Sequence, residues 1–147
     1  MKMTLKQHVD YWLKHSNDSL LDMRAAYRSG RRTNALFCGH LAIEKMLKAF
    51  CAVRCVPAQS IWGHSLFKLA SSAGLWEHFN DTKRTELATI TTFNIEARYD
   101  DYKRSFSQLC TPEFTKQWVS VIETWYSHLK EQVLQERALL QNNVLVE

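Results

Sequence analysis

Hydrophobic residues recur at spacings of three and four along most of the chain, which is the period of an amphipathic helix. Thr4 and Gln7 have the spacing of a capping box, in which each side chain binds a free backbone N–H of the first turn. Ser29-Gly30 then interrupts the periodicity. The pattern predicts a first helix over about residues 5–28, with an apolar stripe of Leu5, Val9, Trp12, Leu13, Leu20, Met23 and Tyr27.

The next stretch, residues 32–54, is apolar on nearly all sides. Its strongly polar positions between residues 35 and 53 are His40, Glu44, Lys45 and Lys48. Because His40, Glu44 and Lys48 are spaced four apart, they share one narrow stripe of a helix. We therefore expect a central helix, packed on most sides, whose polar stripe faces water, a partner or a cleft. Val56-Pro57 ends it, since the residue before proline avoids the helical conformation.

The remaining signals predict three more helices. A short one covers residues 64–73, a fourth runs over residues 81–97, and Thr111-Pro112-Glu113 begins a long final helix. Residues 98–110 are predicted to form a long connection. We predict an all-α fold, an up-and-down antiparallel bundle of four long helices plus one short helix. The chain is expected to form one domain over residues 1–141, with a frayed tail at 142–147.

Composition narrows the class of protein. The 147 residues carry a net charge of +4, which permits a phosphate-bearing partner but is far below that of a protein that coats nucleic acid. No apolar run approaches the ~20 residues needed to cross a bilayer, and no signal peptide precedes the first helix. We expect a cytoplasmic protein with no membrane association.

Cys51 and Cys55 at helical spacing, even with His40 and His64, do not form the tight loop pattern of structural zinc, so neither a metal nor a cofactor is expected.

Charged and aromatic groups are concentrated around residues 98–104, which contain no glycine or proline. Guanidinium groups donate bidentate hydrogen bonds to phosphate, and a tyrosine can stack or donate. The alternatives are a buried Arg–Asp pair that ties the loop to the bundle, a Glu44–Lys48 surface pair and a packing role for His64. The candidate ligand-binding residues are Arg98, Tyr99, Asp100, Lys103, Arg104, Lys45, Lys48 and His64.

Several segments together carry a resemblance to a known family. They are Tyr11-Trp12, Glu44-Lys45-Met46-Leu47-Lys48-Ala49, Gly63-His64-Ser65-Leu66 and Phe93-Asn94-Ile95-Glu96-Ala97-Arg98-Tyr99 followed by an acid. In this order and spacing the chain resembles the HEPN (higher eukaryotes and prokaryotes nucleotide-binding) domain family. Many members have a proline after the Arg-Tyr pair, where this chain has Asp100.

The resemblance implies a helical bundle that dimerises around a polar cleft. Some members associate with nucleotidyltransferase domains, and others are metal-independent endoribonucleases or toxins with an arginine and a histidine separated by four to six residues. No arginine of this chain is followed by a histidine at that distance; Arg32 and His40 come nearest, with seven residues between them. Since histidine is the natural acid–base group for such cleavage, its absence weighs against an enzyme, and no catalytic residue is assigned.

We therefore expect a non-catalytic module that forms a homodimer and binds a nucleotide or a nucleotide-handling partner such as a minimal nucleotidyltransferase. The predicted site is an Arg/Lys-lined groove between the second helix and residues 98–110, with Arg98 and Lys48 converging on it. One alternative is an RNA-cleaving toxin that pairs Arg98 with His64 or His128. The other is a purely structural dimer, for which Trp118 and Trp125 are candidate interface residues.

Overall fold

The structure, a computed structural model, describes residues 2–146, with the side chain of Ala97 excepted. Within that range it contains six α-helices and three short 3₁₀ turns, and the predicted all-α bundle is confirmed. The helices are α1 (Leu5–Arg28), α2 (Arg32–Val53), α3 (Leu66–Ser72), α4 (Asp81–Thr91), α5 (Asp100–Leu109) and α6 (Pro112–Ala138). The turns are Ala58–Ile61, Trp76–His78 and Ile95–Ala97.

Helix α2 is the centre of the bundle and packs against α1, α6 and α3. Its apolar residues from Ala35 to Val53 are almost all buried, as the uniformly apolar sequence predicted. Gly39 lies where α1 and α6 both approach α2, because a Cβ atom there would be 2.6 Å from Ile122 Cδ1 and 2.9 Å from Met23 Sδ. The absence of a side chain at this position allows three helices to meet closely.

Helix starts agree with the capping signals. Thr4 and Gln7 form both hydrogen bonds of the capping box, and Thr111 accepts a bond from the Phe114 N–H with Pro112 in the first turn. At α4 the capping residue is Asn80, which accepts from the Lys83 N–H at 2.8 Å. Short polar side chains therefore satisfy backbone donors that each helix would otherwise leave unpaired.

The prediction that residues 98–110 form a connection is wrong, because most of this segment is helix α5. The fourth helix ends at Thr91 rather than near residue 97, and a short turn precedes α5. Asp100 and Asp101 lie in the first turn of α5, where carboxylates interact favourably with the helix dipole. Phe106 anchors the helix, since it is buried against the Phe93 ring at a centroid distance of 5.5 Å.

The tail also differs from the expected frayed end. The Leu5 N–H donates to the Val144 carbonyl at 2.6 Å, and the Val146 N–H donates to the Met3 carbonyl at 3.2 Å. Thr4 and Leu145 therefore form an antiparallel bridge. Glu147 lies outside the described residues, and the domain limits stay a prediction.

Trp125 is part of the core rather than of an exposed dimer face. Its ring is buried, and its Nε1–H donates to the Glu86 carboxylate at 3.0 Å. Trp118 is half-buried against Phe93. None of the helices between residues 2 and 146 is both long and apolar enough to span a bilayer.

Candidate functional site

The predicted site residues between Arg98 and Arg104 lie in α5 or just before it, and all but the half-buried Lys103 are exposed. Arg98 lies over the Tyr102 ring, with its guanidinium carbon 4.9 Å from the centroid. Tyr99, which caps α5, is 90% exposed. Arg104 pairs with Asp101 one turn away. The hydroxyl of Tyr102 donates to the Thr92 carbonyl at 2.6 Å and ties α5 to the end of α4.

The predicted lysines belong to a different environment. Lys48 is only 7% exposed, and its Nζ lies 3.3 Å from Glu44 Oε2 and 5.0 Å from the centre of the Trp12 ring. Lys45 donates to the Ser19 hydroxyl at 2.9 Å and so faces α1. The Glu44–Lys48 pair that the spacing predicted is present, but it is buried rather than on the surface.

Four residues form what we call the Glu44 cluster, namely His40, Glu44, Lys48 and His64. The His64 Nδ1 atom lies 3.2 Å from each oxygen of the Glu44 carboxylate. His40 is fully buried, and neither of its ring nitrogens has a hydrogen-bond partner within residues 2–146. Burial lowers the pKa of His40 to about 4; the charge of Glu44 acts to raise this pKa, and His64 acts to lower it further.

Arg98 and Lys48 share no anionic partner in the described part of the chain. The carboxylate beside Lys48 is Glu44, whereas Arg98, two residues before α5, stacks on the Tyr102 ring of that helix. The convergence of these two cations on one crevice is therefore not seen, and the ligand roles of the residues named from sequence stay predictions. His128, the other histidine considered, lines a separate concavity with Lys83 and Glu86.

A groove between the second helix and the 98–110 segment does exist, but at the start of α2. We call it the α2–α5 concavity; it has a volume of about 460 Å³. Its lining residues are Gly30, Arg31, Arg32, Thr33, Asn34, Ser107 and Cys110, and none of these described residues is acidic. The volume lies within the roughly 300–1,000 Å³ that is typical of small-molecule sites.

A sharp turn before α2 opens this concavity, and the two arginines at the start of α2 give it positive charge. Gly30 adopts a φ of +78°, which lets the chain turn sharply between α1 and α2. Arg31 occupies the capping position of α2, and its side chain makes no capping hydrogen bond. Arg32 Nε donates to the Cys110 carbonyl at 2.6 Å, which fixes the end of α5 against the start of α2.

Arg31 and Arg32 are not among the candidate residues predicted from the sequence. They are separated by about 75 residues from Ser107 and Cys110, so that no local pattern relates the two sides of the concavity. A usable signal was nevertheless present: two adjacent arginines follow Ser29-Gly30 at a helix start that lacks a Ser, Thr, Asp or Asn cap.

The cysteines are all free thiols. Cys51 is buried and its thiol donates to the Leu69 carbonyl at 3.3 Å, and burial raises its pKa to about 11. Cys55 is exposed at the end of α2. Between residues 2 and 146, no three metal-ligating side chains are grouped so as to hold an ion.

The fold and this concavity define a small all-α module with a basic ligand-sized groove at one end of its central helix. The chain belongs to the HEPN domain family, which matches residues 9–132 and thus most of α1 through α6. Membership indicates a nucleotide-binding or ribonuclease-like module. Comparisons with curated proteins and with solved structures gave no match.

Proposed function

We propose that this chain is a non-catalytic HEPN module that binds a nucleotide, or another phosphate-bearing ligand, in the α2–α5 concavity. The observation that carries the proposal is a ligand-sized groove that two arginines line without an acidic neighbour. A groove with that balance of charge favours an anion. The groove again lies between the second helix and residues 98–110, but Arg31 and Arg32 line it in place of Arg98 and Lys48.

The donors in the groove suit phosphate oxygens. The Arg32 Nε–H is engaged by the Cys110 carbonyl, which leaves its two terminal nitrogens as a fork for a phosphate. Arg31 is exposed beside it. The first-turn N–H groups of α2, which carry no side-chain cap, add a positive dipole end in the same place.

One cation of helix α5, Lys103, shares a helix face with a lining residue of the groove. Lys103 and Ser107 are one turn apart and therefore share a face of α5, and Ser107 lines the concavity. A phosphate chain bound at Arg32 would be directed toward this face. Arg98, just before α5, is expected to contribute mainly long-range attraction, which salt screens, whereas Arg104 is paired with Asp101.

Isothermal titration calorimetry with ATP, ADP and inorganic pyrophosphate tests the proposal. We expect binding of the wild-type protein below millimolar concentrations and a loss of at least about tenfold in affinity for Arg31→Ala/Arg32→Ala, because two charge-assisted contacts are removed. Lys14→Ala, which removes an exposed cation on α1, is the matched control. An affinity that is unchanged in the double variant would refute this site.

The assembly state and partner belong to the same proposal. We propose a homodimer that operates with a nucleotide-handling protein such as a minimal nucleotidyltransferase; the cytoplasmic location also stays a prediction. Sedimentation analysis between about 1 and 100 μM measures the dimer.

Incubation with RNA in EDTA measures cleavage, and metal-independent cleavage that Arg98→Ala abolishes would replace the non-catalytic proposal with the ribonuclease alternative.

A further inference from the structure

Glu44 and His64 form a carboxylate–imidazole pair that the proposed ligand site does not use. His64 Nδ1 is 3.2 Å from both carboxylate oxygens. The Glu44 side chain is 4% exposed, whereas the His64 side chain is 72% exposed. The Nδ1 atom of His64 thus contacts the buried Glu44 carboxylate, while most of the ring is exposed to solvent.

This contact selects one tautomer of the neutral imidazole. An ionised carboxylate only accepts hydrogen bonds, and Lys48 Nζ, 3.3 Å from Glu44, pairs with the same group. His64 Nδ1 must therefore carry the proton, and the lone pair of the ring is on Nε2. Because Nε2 lies on the opposite side of the ring from the carboxylate, that lone pair is directed toward solvent.

The surroundings leave this nitrogen accessible. Trp62 is 84% exposed and Gly63 is exposed, so the chain before His64 does not cover the ring. A carboxylate that is hydrogen-bonded to one nitrogen of an imidazole fixes the orientation of the ring. The same arrangement stabilises the positive charge that develops on a histidine ring when its second nitrogen forms a bond.

We propose that His64 Nε2 is a phosphoryl-acceptor site, phosphorylated by an energy-rich donor of the acyl phosphate or phosphoramidate class. The Nε2 lone pair forms a bond to phosphorus while the bond from phosphorus to the leaving group breaks. Phosphoramidate reacts as its N-protonated form, from which neutral ammonia departs with the bonding electron pair. The ring becomes a phosphorylated imidazolium, whose Nδ1–H remains bonded to the Glu44 carboxylate.

The chain provides its own reference histidines. His78 and His128 are exposed, and neither has a hydrogen-bonded carboxylate within the described residues. A reagent that labels any exposed imidazole would label these two as fast as His64. The Glu44 contact is what distinguishes His64, so the difference in rate measures the contribution of the pair.

The experiment treats the full chain with potassium phosphoramidate at neutral pH and maps phosphohistidine by mass spectrometry under alkaline conditions. We expect His64 to be labelled roughly tenfold faster than His78 or His128, and at Nε2, which is the low end of the roughly 10–100-fold that such a partner contributes to a histidine at metal sites. Glu44→Gln should lower the His64 rate to that of the reference histidines. Arg31→Ala/Arg32→Ala should leave it unchanged, which separates this site from the α2–α5 concavity.

A measurement on the wild-type protein covers the case in which Glu44→Gln does not fold. Long-range ¹H–¹⁵N correlation spectra of the imidazole identify the protonated nitrogen, and we expect the Nδ1–H form for His64. Labelling of His64 no faster than of His78 and His128, modification at Nδ1, or an Nε2–H tautomer would each overturn the proposal.

Discussion

At the scale of single residues, His40 has the most unusual environment in the bundle. It is fully buried on α2, and both ring nitrogens lack a hydrogen-bond partner within residues 2–146. Burial lowers its pKa from 6.5 to about 4, so the ring is neutral in the folded protein at neutral pH. In the unfolded chain the same ring accepts a proton near its ordinary pKa.

The first prediction concerns stability between pH 7 and pH 4. Since the unfolded state binds the His40 proton and the folded state does not, stability falls as the pH decreases from 6.5 toward 4. A shift from 6.5 to about 4 corresponds to about 3 kcal/mol at the low end of this window. The variant His40→Leu should lack this component, so its free energy of unfolding should exceed that of the wild type increasingly as the pH falls.

Urea unfolding at a series of pH values measures the difference. At pH 7 the two proteins should be close in stability, because replacing an unpartnered buried polar group by an apolar one costs little. His128→Leu, at an exposed position, should show the wild-type pH dependence. Parallel curves for His40→Leu and wild type would show that His40 is not the responsible group.

At the scale of elements, the helices that sequence predicted well are those with local start and stop signals. Thr4, Thr111 and Pro112 fix the starts of α1 and α6 within one residue because capping is a local interaction. Helix α5 was missed because its charged residues resemble a loop and its stability depends on Phe106 packing against Phe93. Such a tertiary contact cannot be deduced from helical periodicity alone.

The same distinction explains what could be predicted of the site. The Glu44–Lys48 pair followed from helical spacing, and the structure contains it. The contact of Glu44 with His64 spans 20 residues, and the α2–α5 concavity joins segments much further apart. Both depend on how helices pack, so neither could be derived from residues that are neighbours in sequence.

The second prediction tests packing between α2 and α6. Gly39→Ala should destabilise the protein by about 1 kcal/mol, because overpacking a tight core costs roughly 1–3 kcal/mol and alanine regains about 1 kcal/mol in helix propensity. Ile122→Val removes the Cδ1 atom that would lie 2.6 Å from the new Cβ. The double variant should therefore be more stable than the sum of the single effects predicts, and simple additivity in thermal unfolding would contradict this packing.

At the scale of the whole molecule, arginine–carboxylate pairs join helices that are distant in sequence. Arg24 binds Glu123 and so links α1 to α6, and Arg137 binds Asp10 between the same two helices. Arg54, at the end of α2, binds Glu136 of α6 through two nitrogens and donates to the Ala73 carbonyl after α3 at 2.7 Å. This last arginine joins three elements, whereas each of the others joins two.

The third prediction follows from that difference. Arg54→Met keeps an apolar stem against the Phe50 ring, which the guanidinium covers at 4.6 Å. It removes the arginine donor of the Ala73 carbonyl and leaves Glu136 with Gln132 as its donor. We expect a loss of about 1–3 kcal/mol in the free energy of unfolding, the usual cost of unpairing partly buried polar groups. Arg137→Met removes a pair with a half-exposed partner, Asp10, and should cost less than about 1 kcal/mol. Equal losses for the two variants in urea unfolding would mean that the third contact of Arg54, to Ala73, adds nothing to the stability of the bundle.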